Sequence, residues 1–348
     1  MVKRVFINGY GSIGKRIASF ISDDPEIDLI GIGKHSPGSG VKLAKSRGYN
    51  VYVPEVKLAN FDGTNISGSI ESALDRCDLV IDASPSGTGY INKKNFYEPR
   101  NISAIYQGGE SIFGERAVSN FLYNSRSNHM QVIGKKHVMQ GSCNVTGMGR
   151  ILQPLRDKYG SRLVRFDVTL VRRWADIEQT EKNVPDTIEM TQKPHHADDV
   201  KAYMGKETPL FLRAIKVPTR QMHLHILDVR FTDTAPDPAE IHAIFDLEPG
   251  VAILQNATGT RKVREYADSL GYSFTDTNMV HIHANMTDTI GDTVQIMYSD
   301  DQTGIVIPEN HMLMQAMLYD RNYDDAAAHT ESLFHMAEKK SQLQNHFI

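Results

Sequence analysis

Short β-branched runs and helical spacings alternate through the first 140 residues of the chain. Val5-Phe6-Ile7 is continuous and apolar, as a strand buried on both faces must be. Apolar positions at Ile13, Ile17, Phe20 and Ile21 then follow a helical spacing. Ile27 to Ile32 predicts a second strand, Leu79-Val80-Ile81 a third and Ile102 to Tyr106 a fourth. Turn-forming residues follow two of them: Ser84-Pro85-Ser86-Gly87 and Gln107-Gly108-Gly109-Glu110. Strands alternating with helices predict a parallel, doubly wound sheet whose ligand lies at the carboxyl ends of the strands. After Cys143 the period changes. Leu163 to Arg172, Met222 to Phe231, Met279 to Ala284 and Thr293 to Tyr298 alternate like half-buried antiparallel strands. Helices near Pro238 to Phe245 and Thr260 to Leu270 interrupt them, and a long helical stretch runs from about Asn310 to Gln344. The expectation is an α/β dinucleotide-binding domain over 1–140, joined by the C-terminal helix of about 310–348. An α+β domain with a mainly antiparallel sheet is expected over 141–309.

Composition narrows the classes. Thirty-eight basic against 42 acidic side chains, a net charge of −4, give no footprint for nucleic acid or an anionic membrane. With 40% hydrophobic and 23% charged residues the 348-residue chain is of ordinary globular composition. A mean hydropathy of −0.37, and no apolar run near the roughly 18 residues a span needs, exclude a membrane helix. MVKRVFINGYG lacks the apolar core of a signal peptide, so a cytoplasmic chain is expected. Two cysteines in unlike contexts, Cys77 and Cys143, are neither a disulfide framework nor a zinc motif. Cys77 leads into a strand and reads as a small filler.

Gly9-Tyr10-Gly11-Ser12-Ile13-Gly14 falls directly after a strand and opens a helix. The first glycine permits the tight turn, and the second lets a pyrophosphate approach the backbone. The third allows close helix–strand packing, while the helix N-terminus at Ser12 and Ile13 supplies N–H groups. That context makes a Rossmann-type dinucleotide site the preferred reading. The second strand ends Gly31-Ile32-Gly33-Lys34-His35 without the carboxylate that binds a ribose 2′-hydroxyl. Lys34 puts a cation where a 2′-phosphate sits, so NADP is favoured over NAD.

Gly141-Ser142-Cys143-Asn144-Val145-Thr146-Gly147 sits at the expected domain junction. A cysteine opening a helix has its thiolate favoured by the helix dipole, which makes a nucleophile. Ser142, Asn144 and local N–H groups are candidate donors to an oxyanion. Arg172 and Arg173 end a strand, and their planar forks suit phosphate; since strand neighbours alternate, one of them is expected to face the site. His223 and His225 share one strand face, and either is a candidate base. The adjacent pair His195 and His196 lacks a chelating spacing, so no metal is expected.

With these blocks assembled, the chain resembles the archaeal, type II glyceraldehyde-3-phosphate dehydrogenases. The resemblance rests on I-N-G-Y-G-S-I-G at 7–14, G-K-H-S-P at 33–37, D-L-V-I-D-A-S-P-S-G at 78–87 and Y-Q-G-G-E at 106–110. It continues through S-C-N-V-T-G at 142–147, V-R-R-W-A-D at 171–176 and P-H-H-A-D-D-V at 194–200. V-P-T-R-Q-M-H-L-H at 217–225 and Q-T-G-I-V-I-P-E-N at 302–310 complete it. Val145, Trp174 and Ala197 depart from the family's usual threonine, small residue and glycine. The resemblance implies that Cys143 attacks an aldehyde and that His223 is the general base. It implies Gly109, Arg173 and Gln302 as further cofactor contacts, with Arg172, His196 and Ala197 at the substrate. It also implies glyceraldehyde 3-phosphate and inorganic phosphate as substrates, and a homotetramer. The alternatives are a relative of aspartate-semialdehyde dehydrogenase or N-acetylglutamyl-phosphate reductase, or a non-enzymatic dinucleotide- or RNA-binding protein.

Overall fold

In a computed structural model, residues 1–61, 64–107, 109–191 and 194–348 are described; Gly108 of the expected glycine turn lies outside them. The chain divides into two units, Met1–Ser142 with Glu309–Phe334, and Cys143–Pro308 with His335–Ile348.

The first unit is built on β1 (Lys3–Asn8), β2 (Ile27–Gly33), β3 (Val51–Val53), β4 (Gly68–Ser69), β5 (Leu79–Asp82), β6 (Ser103–Tyr106), β7 (Leu122–Tyr123) and β8 (His137–Gln140). They pair in the order β4-β3-β2-β1-β5-β6-β8-β7, every pair parallel. Between them run α1 (Ser12–Ile21), α2 (Ser39–Ser46), α3 (Ile70–Leu74), α4 (Thr88–Asn92) and the single turn α5 (Ser125–Asn128). Val5, Phe6, Ile7, Leu79, Val80 and Ile81 are fully buried, as continuous apolar strands covered on both faces are. Chain order reverses between β1 and β5, where Asn8 pairs with both Gly33 and Asp82. That reversal opens a crevice at the strands' carboxyl ends.

The second unit begins with α6 (Cys143–Tyr159), buried from Asn144 to Leu155. Its sheet comprises β9 (Leu163–Arg173), β10 (Glu189–Thr191), β11 (Leu210–Val217), β12 (His223–Phe231), β13 (Val251–Leu254), β14 (Val280–His283), β15 (Asp288–Ile290) and β16 (Thr293–Asp300). The order is β10-β11-β9-β12-β16-β14-β13, with β15 beside β16. Pairing is antiparallel except between β9 and β11 and between β13 and β14. The helices α7 (His196–Met204), α8 (Pro238–Asp246) and α9 (Thr260–Ser269) belong to this unit. Asp237 caps α8 through a full capping box with Glu240.

The C-terminal stretch differs from the single helical return expected over about 310–348. It forms α10 (Val306–Tyr319), α11 (Tyr323–Phe334) and α12 (Met336–His346). Asp320 and His335 adopt left-handed φ angles of 53° and 50°, which end the helices before them. Residues from His335 onward belong to the second unit, where the Phe347 carbonyl accepts from the Gln255 and Asn256 N–H groups. Among the described residues, no helix is long and apolar enough to cross a membrane.

The turn after β16 is held by a buried charge cluster. Arg264 Nη1 donates to Asp301 Oδ1 at 2.7 Å, and Arg264 Nη2 reaches Asp276 at 3.3 Å. Asp301 also accepts from the Thr277 N–H at 2.8 Å. Removing one partner of such a group leaves a buried charge uncompensated. Asp301→Ala should therefore lower unfolding free energy by about 3–5 kcal/mol. Denaturant unfolding measures this, and a loss below about 1 kcal/mol would show the cluster to be dispensable.

Candidate active site

The sequence-predicted residues fall into two clusters, one on each unit. On the first, Gly9 has a φ of 119°, and a Cβ there would meet the Ala83 carbonyl oxygen at 2.5 Å. A Cβ on Gly14 would lie 2.0 Å from the Gly9 carbonyl oxygen, so the first turn of α1 closes on the loop. Gly11 faces open space, with nothing within 4 Å of an added Cβ. Two glycines thus serve packing and the middle one leaves the N-terminus of α1 open. No side chain caps that N-terminus, and its first turn holds no acidic residue. An anionic group fits there.

Lys34 and His35 follow β2, both half-buried. His35 Nε2 lies 3.4 Å from Asn8 Oδ1, and burial with the Lys57 charge holds the imidazole below its ordinary pKa. Lys57 Nζ donates to the His35 carbonyl at 3.1 Å, adding a cation that sequence reasoning missed. Nothing in Glu55-Val56-Lys57 marks it in advance; the fold returns it to the end of β2. Beside these, Asp82 accepts from Tyr97 Oη at 2.6 Å and Asn92 Nδ2 at 2.8 Å. Gly109 has a φ of 112° and its carbonyl accepts from Ser86 Oγ.

On the second unit, Cys143 begins α6 and is partly accessible. Its Sγ lies 3.3 Å from His223 Nε2 and 3.8 Å from Asn144 Nδ2. His223 opens β12 opposite Asp300 of β16. His225, two residues on along the same strand face, donates from Nε2 to Asn144 Oδ1 at 3.0 Å, which turns the Asn144 amide nitrogen toward the sulfur. The two histidines therefore hold different stations: His223 meets the cysteine, and His225 orients its neighbour. Asp300 Oδ2 stands 3.4 Å from His225 Nε2 and would lie 2.8 Å from a Cβ on Gly147. Glycine at 147 is what lets α6 settle against the end of β16. Asp300 was missed in the sequence; its only signal is a carboxylate ending an apolar strand.

The electrostatics of this cluster are set by burial. Burial, then the nearby Asp300, pushes the Cys143 thiol up to about 12, against the lowering expected of a helix N-terminus. Burial, then repulsion by Asp301, holds the Asp300 carboxyl well above the usual carboxylate range. Burial and the Arg173 charge hold His223 well below the ordinary histidine range, so its imidazole is neutral. The Arg173 backbone N–H donates to His223 Nδ1 at 3.2 Å. Nδ1 is thus the unprotonated nitrogen, and Nε2 carries its hydrogen toward the sulfur.

Strand alternation predicted one arginine at the site, yet both Arg172 and Arg173 act electrostatically on His223. Both lie in the last paired positions of β9, opposite Lys216 and Val217 of β11. Arg172 Nε and Arg173 Nε are buried donors without hydrogen-bond partners. His196 opens α7 fully buried, its Nδ1 unpartnered and its pKa lowered to about 2 by burial and the neighbouring His195. Ala197 follows it, half-buried. Gln302 Nε2 donates to the Arg220 carbonyl at 3.1 Å, leaving Oε1 buried and unpartnered. Ser142, the last residue of the first unit, likewise keeps a buried Oγ without a partner.

A parallel sheet with a glycine turn, and a separate unit carrying a cysteine against a histidine, define a two-domain oxidoreductase of the nucleotide-binding class. No family model matches the chain. Curated relatives do. Glyceraldehyde-3-phosphate dehydrogenase from Methanothermus fervidus is 33% identical over 328 residues, 91% of this chain and 94% of its own. That from Halobacterium salinarum is 31% identical over 338 residues, 94% of this chain and 98% of its own. That from Archaeoglobus fulgidus is 32% identical over 328 residues, covering 91% and 93%. The chain belongs to the archaeal-type glyceraldehyde-3-phosphate dehydrogenases.

With the thiol pKa raised to about 12, the thiolate fraction of the ligand-free protein should climb about tenfold per pH unit across neutrality. Iodoacetamide alkylation of Cys143, followed by mass spectrometry, should rise with that slope up to at least pH 9. A plateau near pH 7 would show that the helix terminus and the arginines outweigh burial.

Proposed function

We propose that this protein oxidises glyceraldehyde 3-phosphate with inorganic phosphate to 1,3-bisphosphoglycerate, reversibly, in the glycolytic and gluconeogenic direction alike. The observation that carries the reading is the 3.3 Å contact between Cys143 Sγ and His223 Nε2 at the start of a helix. The Cys143 thiol gives up its proton to solvent, the thiolate attacks the aldehyde carbon, and the carbonyl oxygen becomes an alkoxide. The Nε2–H of His223 and the Nδ2 of Asn144 are the donors that hold this oxyanion, with Ser142 Oγ a third. In this reading the Arg173 contact at Nδ1 favours His223 as a hydrogen-bond donor, beside the general-base role that the resemblance implies. Taking a second proton would place N–H against N–H at the Arg173 contact. An alkoxide formed directly from thiolate needs no base before it loses hydride. The dinucleotide, when bound, accepts that hydride. The carbonyl then reforms as a Cys143 thioester; inorganic phosphate attacks it, and the thiolate leaves.

Arg172 and His196, with donors buried and unpartnered, and Ala197 beside them, receive the substrate phosphate. Gly9, Gly11, Ser12, Ile13 and Gly14 would hold the dinucleotide pyrophosphate, and the resemblance implies Gly109, Arg173 and Gln302 as further contacts. Lys34, His35 and Lys57 supply positive charge and a donor for a 2′-phosphate, so NADP is preferred to NAD. A homotetramer belongs to the same reading. An apolar hollow on the second unit, lined by Val171, Val217, Met222, Leu224, Met286 and Met297, supports it as a surface for another copy.

NADP reduction assayed with glyceraldehyde 3-phosphate should require phosphate; turnover independent of phosphate overturns the phosphorylating reaction. Cys143→Ser should abolish turnover with the fold retained, and His223→Ala should lower kcat by about 10²–10³-fold. As a donor with a depressed pKa, His223 should leave no inflection near pH 6.5 in kcat; such an inflection, absent from His223→Ala, would restore it as the base. Gly11→Ala should fold normally yet weaken dinucleotide binding, whereas Gly14→Ala should lose about 1–3 kcal/mol of stability. Lys34→Ala should weaken NADP by up to about fivefold and spare NAD. Light scattering that returned the 39.0 kDa of one chain would refute the oligomer.

A further inference from the structure

The first unit contains a buried polar cluster with no part in the chemistry above. Asp24 lies in the turn after α1, His311 on α10 and His329 on α11. Asp24 Oδ1 accepts the Glu26 N–H at 2.9 Å, which aims Oδ2 at the helices. His311 Nε2 stands 3.0 Å from Oδ2 and His329 Nε2 3.1 Å from it. Glu26 Oε2 is 3.6 Å from His329 Nε2 and is otherwise a buried oxygen without a hydrogen-bond partner. Ligand atoms 2.0–2.1 Å from a tetrahedral zinc are about 3.3–3.4 Å apart, and these separations bracket that value.

The hydrogen bonds around His311 show why a cation belongs there. Thr330 Oγ1 donates to the Ala326 carbonyl at 2.8 Å, so it accepts from His311 Nδ1 at 2.7 Å. The ring proton is therefore on Nδ1, and Nε2 turns a lone pair toward a carboxylate oxygen. Gln315 Nε2 lies 3.2 Å from His311 Nε2, and between that nitrogen and Asp24 Oδ2, 3.0 Å apart, a proton or a metal ion supplies the positive charge the two acceptors share. Gln315 Nε2 also donates to Asp24 Oδ2 at 3.3 Å, its amide oriented by Arg321. Arg321 neutralises one carboxylate through Glu26 Oε1 at 2.7 Å, so of the two carboxylates one negative charge is left for a cation. A histidine whose second nitrogen is fixed by a hydroxyl is the arrangement metal ligands adopt.

We propose that Asp24, His311 and His329, completed by Glu26, bind one divalent cation of the zinc class, which clips α10 and α11 to the turn after α1. Mixed imidazole and carboxylate donors select zinc over magnesium or calcium. The expectation from sequence was no metal, and positions 24, 26, 311 and 329 are too far apart for any spacing to reveal one.

The test uses the full chain without an affinity tag, carrying Cys143→Ser so that the reactive thiol takes no metal, after dialysis against EDTA. Calorimetric titration with Zn²⁺ should show one ion per chain, and Tm should rise with Zn²⁺ but not with Mg²⁺. Co²⁺ should give the visible absorption of a tetrahedral nitrogen–oxygen site. His329→Ala, at a partly exposed position, should abolish uptake with the fold intact. Thr330→Val, which keeps every ligand, should weaken zinc by about 10–100-fold. No uptake by the parent chain, with Tm indifferent to zinc, would show that a proton fills the gap and would overturn the proposal. Uptake unchanged in both His329→Ala and Asp24→Asn would overturn it equally.

Discussion

The reactive end of the second unit depends on the register of β12 between β9 and β16. His223 pairs with Asp300 on one side, and Leu224 pairs with Val171 on the other. This register brings the Arg173 N–H to His223 Nδ1 and leaves Nε2 for the sulfur. A slip of one residue would exchange the strand's faces, sending both histidines away from α6. The register is held by apolar alternation: Leu227, Val229 and Phe231 are buried on the face that carries His223 and His225. The same hydrophobic pattern that builds the core therefore aims the imidazole.

Adjacent carboxylates at the end of β16 receive opposite treatment. Asp301 is met by Arg264 and by backbone N–H groups, so its charge is compensated and fixes the turn that carries Gln302. Asp300 is just as buried, yet neither of its oxygens has a hydrogen-bond partner, and its carboxyl is held well above the usual carboxylate range. Strand alternation sends the two side chains to different surroundings.

The glycine turn at 9–14 was legible because each glycine answers a local demand, and the strand before it and the helix after it are strongly patterned. Cys143 was legible as the head of a helix in a polar setting. Its partnership with His223 was not, since nothing local links residues so far apart; the resemblance supplied it and the fold brought them together. The choice between His223 and His225 turned on Asn144, which only coordinates can place. The strands Leu122–Tyr123 and His137–Gln140 are too short to rise above their surroundings, and Leu210–Val217 lacks a clean alternation. The state of Asp300, the Nε2 hydrogen of His223 and the contribution of Lys57 all arise from tertiary burial, which no local pattern encodes. The split of the C-terminal stretch turned on Asp320 and His335 adopting left-handed backbone, which the surrounding helical spacing does not announce.

Because the first unit is closed by Glu309–Phe334, its final pieces are made only after the whole of Cys143–Pro308. On the ribosome, the parallel sheet must wait as an incomplete body while more than 150 further residues are synthesised, roughly ten to thirty seconds at ordinary elongation rates. The intervening unit, lacking little but α12, is the one equipped to fold first. An N-terminal sheet completed last is exposed for longest to capture by chaperones, and mutations in α10 or α11 should reduce the yield of intact protein before they alter anything at Cys143.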